Sequence, residues 1–267
     1  MYTAPFRYLC AATLSEAEQL FRDNADAKYL AGGHTLIPTM KQRLAAPAAL
    51  IDISRIASLA FMRREAGKLV IGAGTRHADV AASAEVKSAI AALAALAGLI
   101  GDPAVRHKGT LGGSVANNDP AADYPAALLA LAATVKTTRR TIAADEFFTG
   151  MFETALNEGE IITEIAFPVP RRAGYAKFPH PASRYALVGV FVAQFPNSVR
   201  VAVTGAAPCV FRVPEMERAL AINFTPEATA AIAIASDGLN ADLFASAEYR
   251  AHLVTVMAKR AVASALG

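Results

Sequence analysis

Apolar positions recur along this chain with two different periods, and the switches between them mark its elements. Leu14, Ala17, Leu20 and Phe21 stand at helical spacing behind Thr13-Leu-Ser-Glu16, a capping-box signature, so a first helix is predicted to end near Asn24. Lys28–Ala31 and Leu50–Ile53 predict short strands. Between them a helix over Ile37–Arg43 carries Pro38 in its first turn, which makes a small βαβ unit. Ala60–Arg64 and Leu69–Ile71 flank Glu65-Ala-Gly-Lys68 as a hairpin. From Ala78 to Gly98 the pattern is helical throughout, with Val86, Ile90, Leu93 and Ala97 on one face, until Gly98 and Gly101-Asp-Pro103 stop it. Ala126–Ala133 is an apolar helical run with Asp123 as candidate N-cap and Pro125 in its first turn. Thr134–Thr138 and Arg140–Ala143 predict a second hairpin, and Glu160–Phe167 a strong strand.

Pro168-Val-Pro170, followed by Arg171-Arg172-Ala-Gly174, ends that strand and is the clearest boundary in the chain. Beyond it, Tyr175–Phe178, Leu187–Gln194 and Ser198–Gly205 predict an antiparallel sheet. Pro226–Ala235 and Ala247–Leu266 predict helices that cover one of its faces. The class is α+β.

Two stretches interrupt the pattern in the same way: Ala31-Gly-Gly-His-Thr-Leu-Ile-Pro38 and Thr110-Leu-Gly-Gly-Ser114. Each is a Gly-Gly pair beside hydroxyl residues. A glycine pair lets backbone approach a ligand and allows φ > 0. Successive N–H groups in such a turn form a concave anion site, reinforced by a helix that starts there. Two such loops can clasp one diphosphate from both sides, although each pair alone is also a common tight turn. Gly72-Ala-Gly-Thr-Arg-His77 has a surface likeness to a dinucleotide fingerprint. However, His77 stands where the third glycine belongs and no acidic residue follows on a second strand, so it reads as a plain turn into a helix.

Composition removes several classes of function. The 54% apolar content is an excess of alanine, and Ala89–Ile100, the most apolar window, is too short to span a bilayer. The N-terminus lacks the basic and apolar regions of a signal peptide, which makes a cytoplasmic chain the expectation. A net charge of +3 with scattered Arg pairs offers no nucleic-acid stripe. Two cysteines, Cys10 and Cys209, are too few for an iron–sulfur cluster or a cysteine-built zinc site, and without an export signal a disulfide between them is not expected. His34 and His77 lack a third ligand at useful spacing, so no metal is assigned to them.

Together with Ala176-Lys-Phe-Pro-His-Pro-Ala-Ser-Arg-Tyr-Ala186, the two Gly loops resemble the FAD-binding medium subunit of the molybdenum hydroxylases. That family includes carbon monoxide dehydrogenase and relatives of xanthine dehydrogenase. The resemblance runs from about Phe6 to the C-terminus in order and spacing, and its most specific part is Thr110-Leu-Gly-Gly with the following Asn-Asn-Asp-Pro-Ala-Ala-Asp. It implies an FAD-binding domain of the PCMH type over residues 1–168, in two α+β parts of about 1–56 and 57–168, followed by a smaller α+β domain over 174–267. It further implies a pyrophosphate loop at Tyr29, Leu30, Ala31, Gly32, Gly33, His34, Thr35 and Leu36, with the N–H groups of Gly32 to Thr35 facing the phosphates. The second loop would be Thr110, Gly112, Gly113 and Ser114, with the two hydroxyls as added donors. Asp123 would contact the sugar side, Ile162 would lie near the ring system or adenine, and Lys177 and Tyr185 would reach back towards the isoalloxazine. The hairpin over Thr134–Ile142 is shorter than in many relatives, Leu131-Ala-Ala133 stands where an acidic residue often sits, and the cluster-bearing insertion of one branch is absent.

The resemblance implies an oxidoreductase subunit without a catalytic acid or base of its own. A large molybdopterin-binding subunit would oxidise substrate, a small subunit with two 2Fe–2S clusters would relay electrons, and this chain's flavin would pass them to NAD⁺, a quinone or O₂. The assembly would be a dimer of heterotrimers. The alternatives are a stand-alone FAD-dependent oxidoreductase, for which the 174–267 segment is small, and a nucleotide-binding assembly protein without enzymatic activity. From the residues alone, a helix cap is the lesser alternative for Asp123, which could also serve both roles, and Lys177 could equally be a solvated strand lysine.

Overall fold

A computed structural model describes residues 2–267, which form three sheets with helices between them and a two-stranded ribbon. The first sheet is parallel. It is built from β1 (Arg7–Cys10), α1 (Leu14–Arg22), β2 (Ala27–Leu30), α2 (Leu36–Lys41) and β3 (Ala49–Asp52), in strand order β1-β3-β2. The central strand β3 is buried at every position, while β1 is an edge with Arg7, Tyr8 and Cys10 exposed. With only four residues, β1 is too short for a strand period to show in the sequence. Thr13 caps α1 by accepting from the Glu16 N–H at 3.1 Å, and the Glu16 carboxylate accepts from Ala12, one residue earlier than in a regular capping box. Cys10 and Cys209 are both free.

The second unit starts with the hairpin β4 (Met62–Glu65) and β5 (Lys68–Gly72). The single helix expected over Ala78–Gly98 is three: α3 (His77–Ala82), α4 (Ala84–Ala89) and α5 (Ala91–Gly98). Ser83 and Ile90 leave helical geometry, at φ −60, ψ 124 and φ −146, ψ 80, and Ser83 uses its hydroxyl to cap α4. The predicted apolar face survives the breaks, because Val86, Ile90, Leu93 and Ala97 are all buried. Next come α6 (Pro103–Arg106), α7 (Leu111–Asn117), α8 (Tyr124–Ala130), β6 (Thr134–Thr137), β7 (Thr141–Ala143), α9 (Ala144–Phe147), β8 (Phe148–Gly150), β9 (Glu153–Thr154) and β10 (Ile162–Pro168). The sheet runs β4-β5-β10-β6-β7, antiparallel at every pairing.

Glu160 braces the approach to β10. Burial alone would raise its pKa, but bonds from Arg140, the Thr137 hydroxyl at 2.6 Å and the Asn157 N–H at 2.8 Å overcome this and hold it at about 2, against an ordinary 4.5. Its folded value lies below its unfolded value, so its contribution is present above pH 4.5 and is lost as pH falls towards 2. Denaturant unfolding of a Glu160→Gln chain is expected to show a deficit on the order of 2–3 kcal/mol at pH 7 that shrinks below pH 4.

The third sheet orders β11 (Arg172–Pro179), β12 (Ala186–Gln194), β13 (Val199–Thr204) and β14 (Phe211–Arg212), with α10 (Pro214–Ile222), α11 (Pro226–Ala230) and α12 (Ala247–Leu266) on one face. α11 stops five residues short of the predicted Ala235, and α10 was not foreseen. Val188, Val190 and Val192 pack against Leu253, Val254 and Met257 of α12. Gly174 is where sheet and helix come closest: a Cβ there would lie 1.9 Å from the Ala261 carbonyl oxygen. The other face of the sheet is not bare. Tyr175, Phe191, Ala193 and Ala202 share one core with Leu93 of α5 and Leu128 of α8. Among the described residues no helix is long and apolar enough to cross a membrane.

Candidate functional site

The first Gly loop leaves β2 at Leu30, whose carbonyl accepts from Ile53, and turns through Gly32 and Gly33 into α2, where Ile37 donates back to the Gly33 carbonyl. Gly33 has φ +71, a conformation that glycine enters without penalty. Among the described residues the N–H groups of Gly32, Gly33, His34 and Thr35 donate to no other backbone group. His34 and Thr35 are exposed, and Ala31, Gly32, Gly33 and Leu36 are half-buried. Leu30 packs beneath Gly33. Tyr29 points away from the loop, stacking on Phe21 at 4.9 Å, and burial raises its phenol to about 12.

The second loop is part of a helix rather than a lead-in to one. Thr110 is the N-cap of α7, and its hydroxyl oxygen accepts from the Gly113 N–H at 3.1 Å. Leu111 donates to the Thr75 carbonyl, Gly112 to that of Ala73 and Ser114 to that of Thr110. The N–H groups of residues 111–114 are therefore used within the chain, and the expected pair of equivalent N–H cradles reduces to one. The second loop instead offers the Thr110 and Ser114 hydroxyls and the exposed backbone of Gly113. Gly112 is a packing glycine, because a Cβ there would lie 2.5 Å from that of Ala73. The turn Gly72–Thr75, read from the sequence as incidental, is thus the platform on which the second loop is built.

The two loops meet. A Cβ on Gly32 would lie 2.4 Å from the Lys108 carbonyl oxygen and 2.7 Å from the Gly109 Cα, and one on Gly113 would come within 4.0 Å of the Ala31 Cβ. Behind Gly109 lies His77, its Nε2 at 2.6 Å from where a Cβ would stand, so only glycine fits between them. Burial, with smaller effects from His34 and Arg106, holds the His77 imidazole at about 4, neutral at physiological pH. This close backbone contact, between a loop with unused N–H groups and one that carries the Thr110 and Ser114 hydroxyls, has the donors a diphosphate needs.

Asp123 occupies the N-cap position of α8, but its side chain makes no cap bond there. It turns instead to the third sheet, where Tyr175 Oη donates to it at 2.5 Å and the Lys177 ammonium lies 2.9 Å away. Burial raises the Asp123 carboxyl, while Lys177 and Tyr175 pull it down. Lys177 is no solvated strand lysine: its side chain is 3% exposed, and it also donates to the Leu99 carbonyl at 2.8 Å. It lines a cleft of about 400 Å³ with Leu99, Gly101, Arg106, His180 and Arg184. Ile162 begins β10 next to a bulge and is buried in the shared core, and the neighbouring Thr163 carbonyl accepts from Ala73 of the platform. Tyr185 stands apart from Lys177. It is 44% exposed and lines a separate cleft of about 360 Å³ with Pro120, Ala121 and Met151, and burial raises its phenol, with Asp119 and Asp123 adding to the rise.

Tyr175 and the Leu99 carbonyl were missed by sequence reasoning. Tyr175 left one usable signal, since residues two apart on a strand share a face and Tyr175 precedes Lys177 by two. A backbone carbonyl leaves none.

Residues 4–170 match the model of the FAD binding domain in molybdopterin dehydrogenase. The chain belongs to that family. It is 36% identical to the carbon monoxide dehydrogenase medium chain of Hydrogenophaga pseudoflava over 97% of this chain and 96% of that one. It is 35% identical, over the same shares, to the nicotine 6-hydroxylase medium subunit of Paenarthrobacter nicotinovorans. The fold superposes on a chain of reconstituted CO dehydrogenase from Oligotropha carboxidovorans with a TM-score of 0.92 at 32% identity, covering 99% of both chains. The protein is thus an FAD-binding, medium-subunit-type chain of the molybdenum hydroxylase oxidoreductases, with the PCMH-type α+β fold that the resemblance implied.

Proposed function

We propose that this chain is the electron-transfer flavoprotein of a cytoplasmic heteromeric molybdenum hydroxylase. It would take electrons from the 2Fe–2S clusters of a small partner subunit, fed by a large molybdopterin-binding subunit, in a dimer of heterotrimers. The observation that carries the reading is the meeting of the two Gly loops, where Gly32, at the head of the run of unused N–H groups, packs on Lys108 and Gly109 and where Gly113 comes near Ala31. Support for the partners comes from relatives named as medium chains or subunits, one of them as part of a dehydrogenase complex.

Bound FAD supplies the exchange between one-electron and two-electron steps. The chain's residues do the holding. Ala31 to Leu36 take the diphosphate by backbone donors, with Tyr29 and Leu30 as the rigid base of that loop. Thr110 and Ser114 add hydroxyl donors, Gly112 and Gly113 allow the close approach, and Ile162 gives an apolar wall for a ring. Asp123 meets the sugar side through the carboxylate it shares with Lys177. Lys177 presents a buried cation at the cleft between the α5–α6 segment and β11, while Tyr185 closes the neighbouring cleft from its rim. NAD⁺, a quinone or O₂ would accept the electrons at the flavin.

The deciding measurement is a visible spectrum of the chain purified with its co-expressed partners, followed by acid release of the flavin. About one FAD per chain is the expected result. A folded, colourless complex that takes up no added FAD would sink the reading.

A further inference from the structure

The charged pair of Asp123 and Lys177 has a third member, Tyr175, which holds no part of the FAD. Tyr175 and Lys177 share a face of β11, and both converge on Asp123 at the start of α8, across the seam between the FAD-binding region and the third sheet. Tyr175 Oη donates to Asp123 Oδ1 at 2.5 Å. Lys177 Nζ lies 2.9 Å from the same oxygen and 3.2 Å from Oδ2, and donates to the Leu99 carbonyl at 2.8 Å. An ammonium has three donors. The carboxylate and the Leu99 carbonyl occupy two, which leaves one for the cleft that Lys177 lines with Leu99, Gly101, Arg106 and Arg184.

Charges buried this deeply persist only when paired and hydrogen-bonded. Here the phenol is the third party that completes the pairing. Burial and the adjacent carboxylate push the Tyr175 hydroxyl far above its ordinary range, so it remains a donor throughout the pH range of the folded protein. A carboxylate bonded to both partners pulls less strongly on the ammonium than one bonded to Lys177 alone.

We infer that Tyr175 is a positioning residue that compensates the Asp123 carboxylate, so that Lys177 keeps its place on the Leu99 carbonyl and sets the redox potential of the flavin at the cleft. The inference rests on the FAD reading above. A cation beside a flavin favours its more electron-rich reduced form, and charge near the ring is one of the levers by which proteins tune this cofactor. Removing the phenol leaves the carboxylate less compensated and draws Lys177 towards it. The local field then becomes more negative and the reduced form less favoured. The other charged groups around the cluster stay in place: Arg106 and Arg184 line the same cleft, Asp102 lies within reach of Arg184, and the phenols of Tyr124 and Tyr185 feel Asp123 from α8 and from the 180–185 turn.

The test is a dye-equilibrated redox titration of the flavin in the assembled complex, carried out on wild type, Tyr175→Phe and a site-specific Tyr175→3-fluorotyrosine chain, with acid-released FAD counted for each. Tyr175→Phe is expected to keep its FAD and to titrate at a more negative potential. The fluorinated phenol, close in size and a stronger donor, is expected to shift the potential the opposite way, a pair of signs that a purely structural role does not produce. Unchanged potentials in both chains at full FAD content overturn the inference and leave the FAD reading intact. If Tyr175→Phe fails to assemble, the 3-fluorotyrosine chain decides alone, since it preserves the packing. A wild-type complex without FAD removes the reading and the inference together.

Discussion

Gly32→Val is expected to strip the flavin from the chain. The first atom that the new side chain adds would lie 2.4 Å from a carbonyl oxygen of Lys108 and 2.7 Å from the Gly109 Cα, and both of these are backbone. Neither can swing aside as a flexible side chain could, so the two loops must separate, and they separate along the line where their donors converge. Gly109 cannot retreat either, because the His77 ring fills the space behind it. Overpacking a tight site costs about 1–3 kcal/mol, and here the cost falls on the loop geometry. The expected readout is loss of nearly all visible flavin absorbance per chain, with the far-UV spectrum close to wild type. Gly67→Ala is the control. Gly67 also has positive φ, at +76, but nothing lies within 4 Å of its Cβ position in the β4–β5 turn. It should cost roughly 1–2 kcal/mol of backbone strain and leave flavin content unchanged. Equal flavin loss in both variants would mean that the loop contact is not what holds the cofactor.

Lys177→Met is expected to be the most destabilising single change at the seam. It leaves Asp123, 4% exposed, with the Tyr175 hydroxyl as its remaining side-chain partner. Breaking a buried pair by removing one member costs about 3–5 kcal/mol, because the survivor must either stay charged without compensation or take up a proton. The pH dependence follows from the same carboxyl. Burial already raises Asp123, and without the ammonium to pull it down its folded pKa rises further above the unfolded value. The protonated form is then the stable one, so the variant's deficit is smallest at acid pH and grows as pH rises through the folded pKa. Denaturant melts of wild type and variant at pH 5 and 7.5 check the sign. The double change Lys177→Met with Asp123→Asn should recover much of the loss, since replacing both partners removes the unpaired charge. A double variant no more stable than the single would show that packing, not charge, is what Lys177 supplies.

Much of this arrangement was legible in the sequence, and the exceptions have a common cause. The loops at Gly32-Gly33 and Gly112-Gly113, the β4–β5 hairpin and the three long strands of the third sheet stand out because their signals are local: a glycine pair, a turn, a short valine-rich apolar run. The breaks at Ser83 and Ile90 were hidden because alanine-rich segments on either side keep the same apolar face, so three short helices carry the periodicity of one long one. The roles of the Gly72–Thr75 turn and of Tyr175 depend on what lies opposite them, Gly112 in one case and Asp123 in the other, at sequence separations that no local pattern spans. Asp123 was visible as two possibilities, a cap or a ligand residue, and its side chain takes a third course by bonding across the seam.

The proline-rich passage at 168–170 is where the chain looks easiest to cut, yet the third sheet has no free side. β12 is buried from Ala186 to Ala193, with α12 against one face and α5 and α8 against the other. For anyone recombining medium chains from different hydroxylases, the seam for a crossover therefore does not follow the backbone's own punctuation. A transplanted C-terminal third would arrive without the two alanine-rich helices moulded to it, and its host would keep helices shaped for another sheet. The unit of inheritance is the sheet together with α5 and α8, although about forty residues separate α8 from β11 and α7, with Gly112 and Gly113, lies between the two helices.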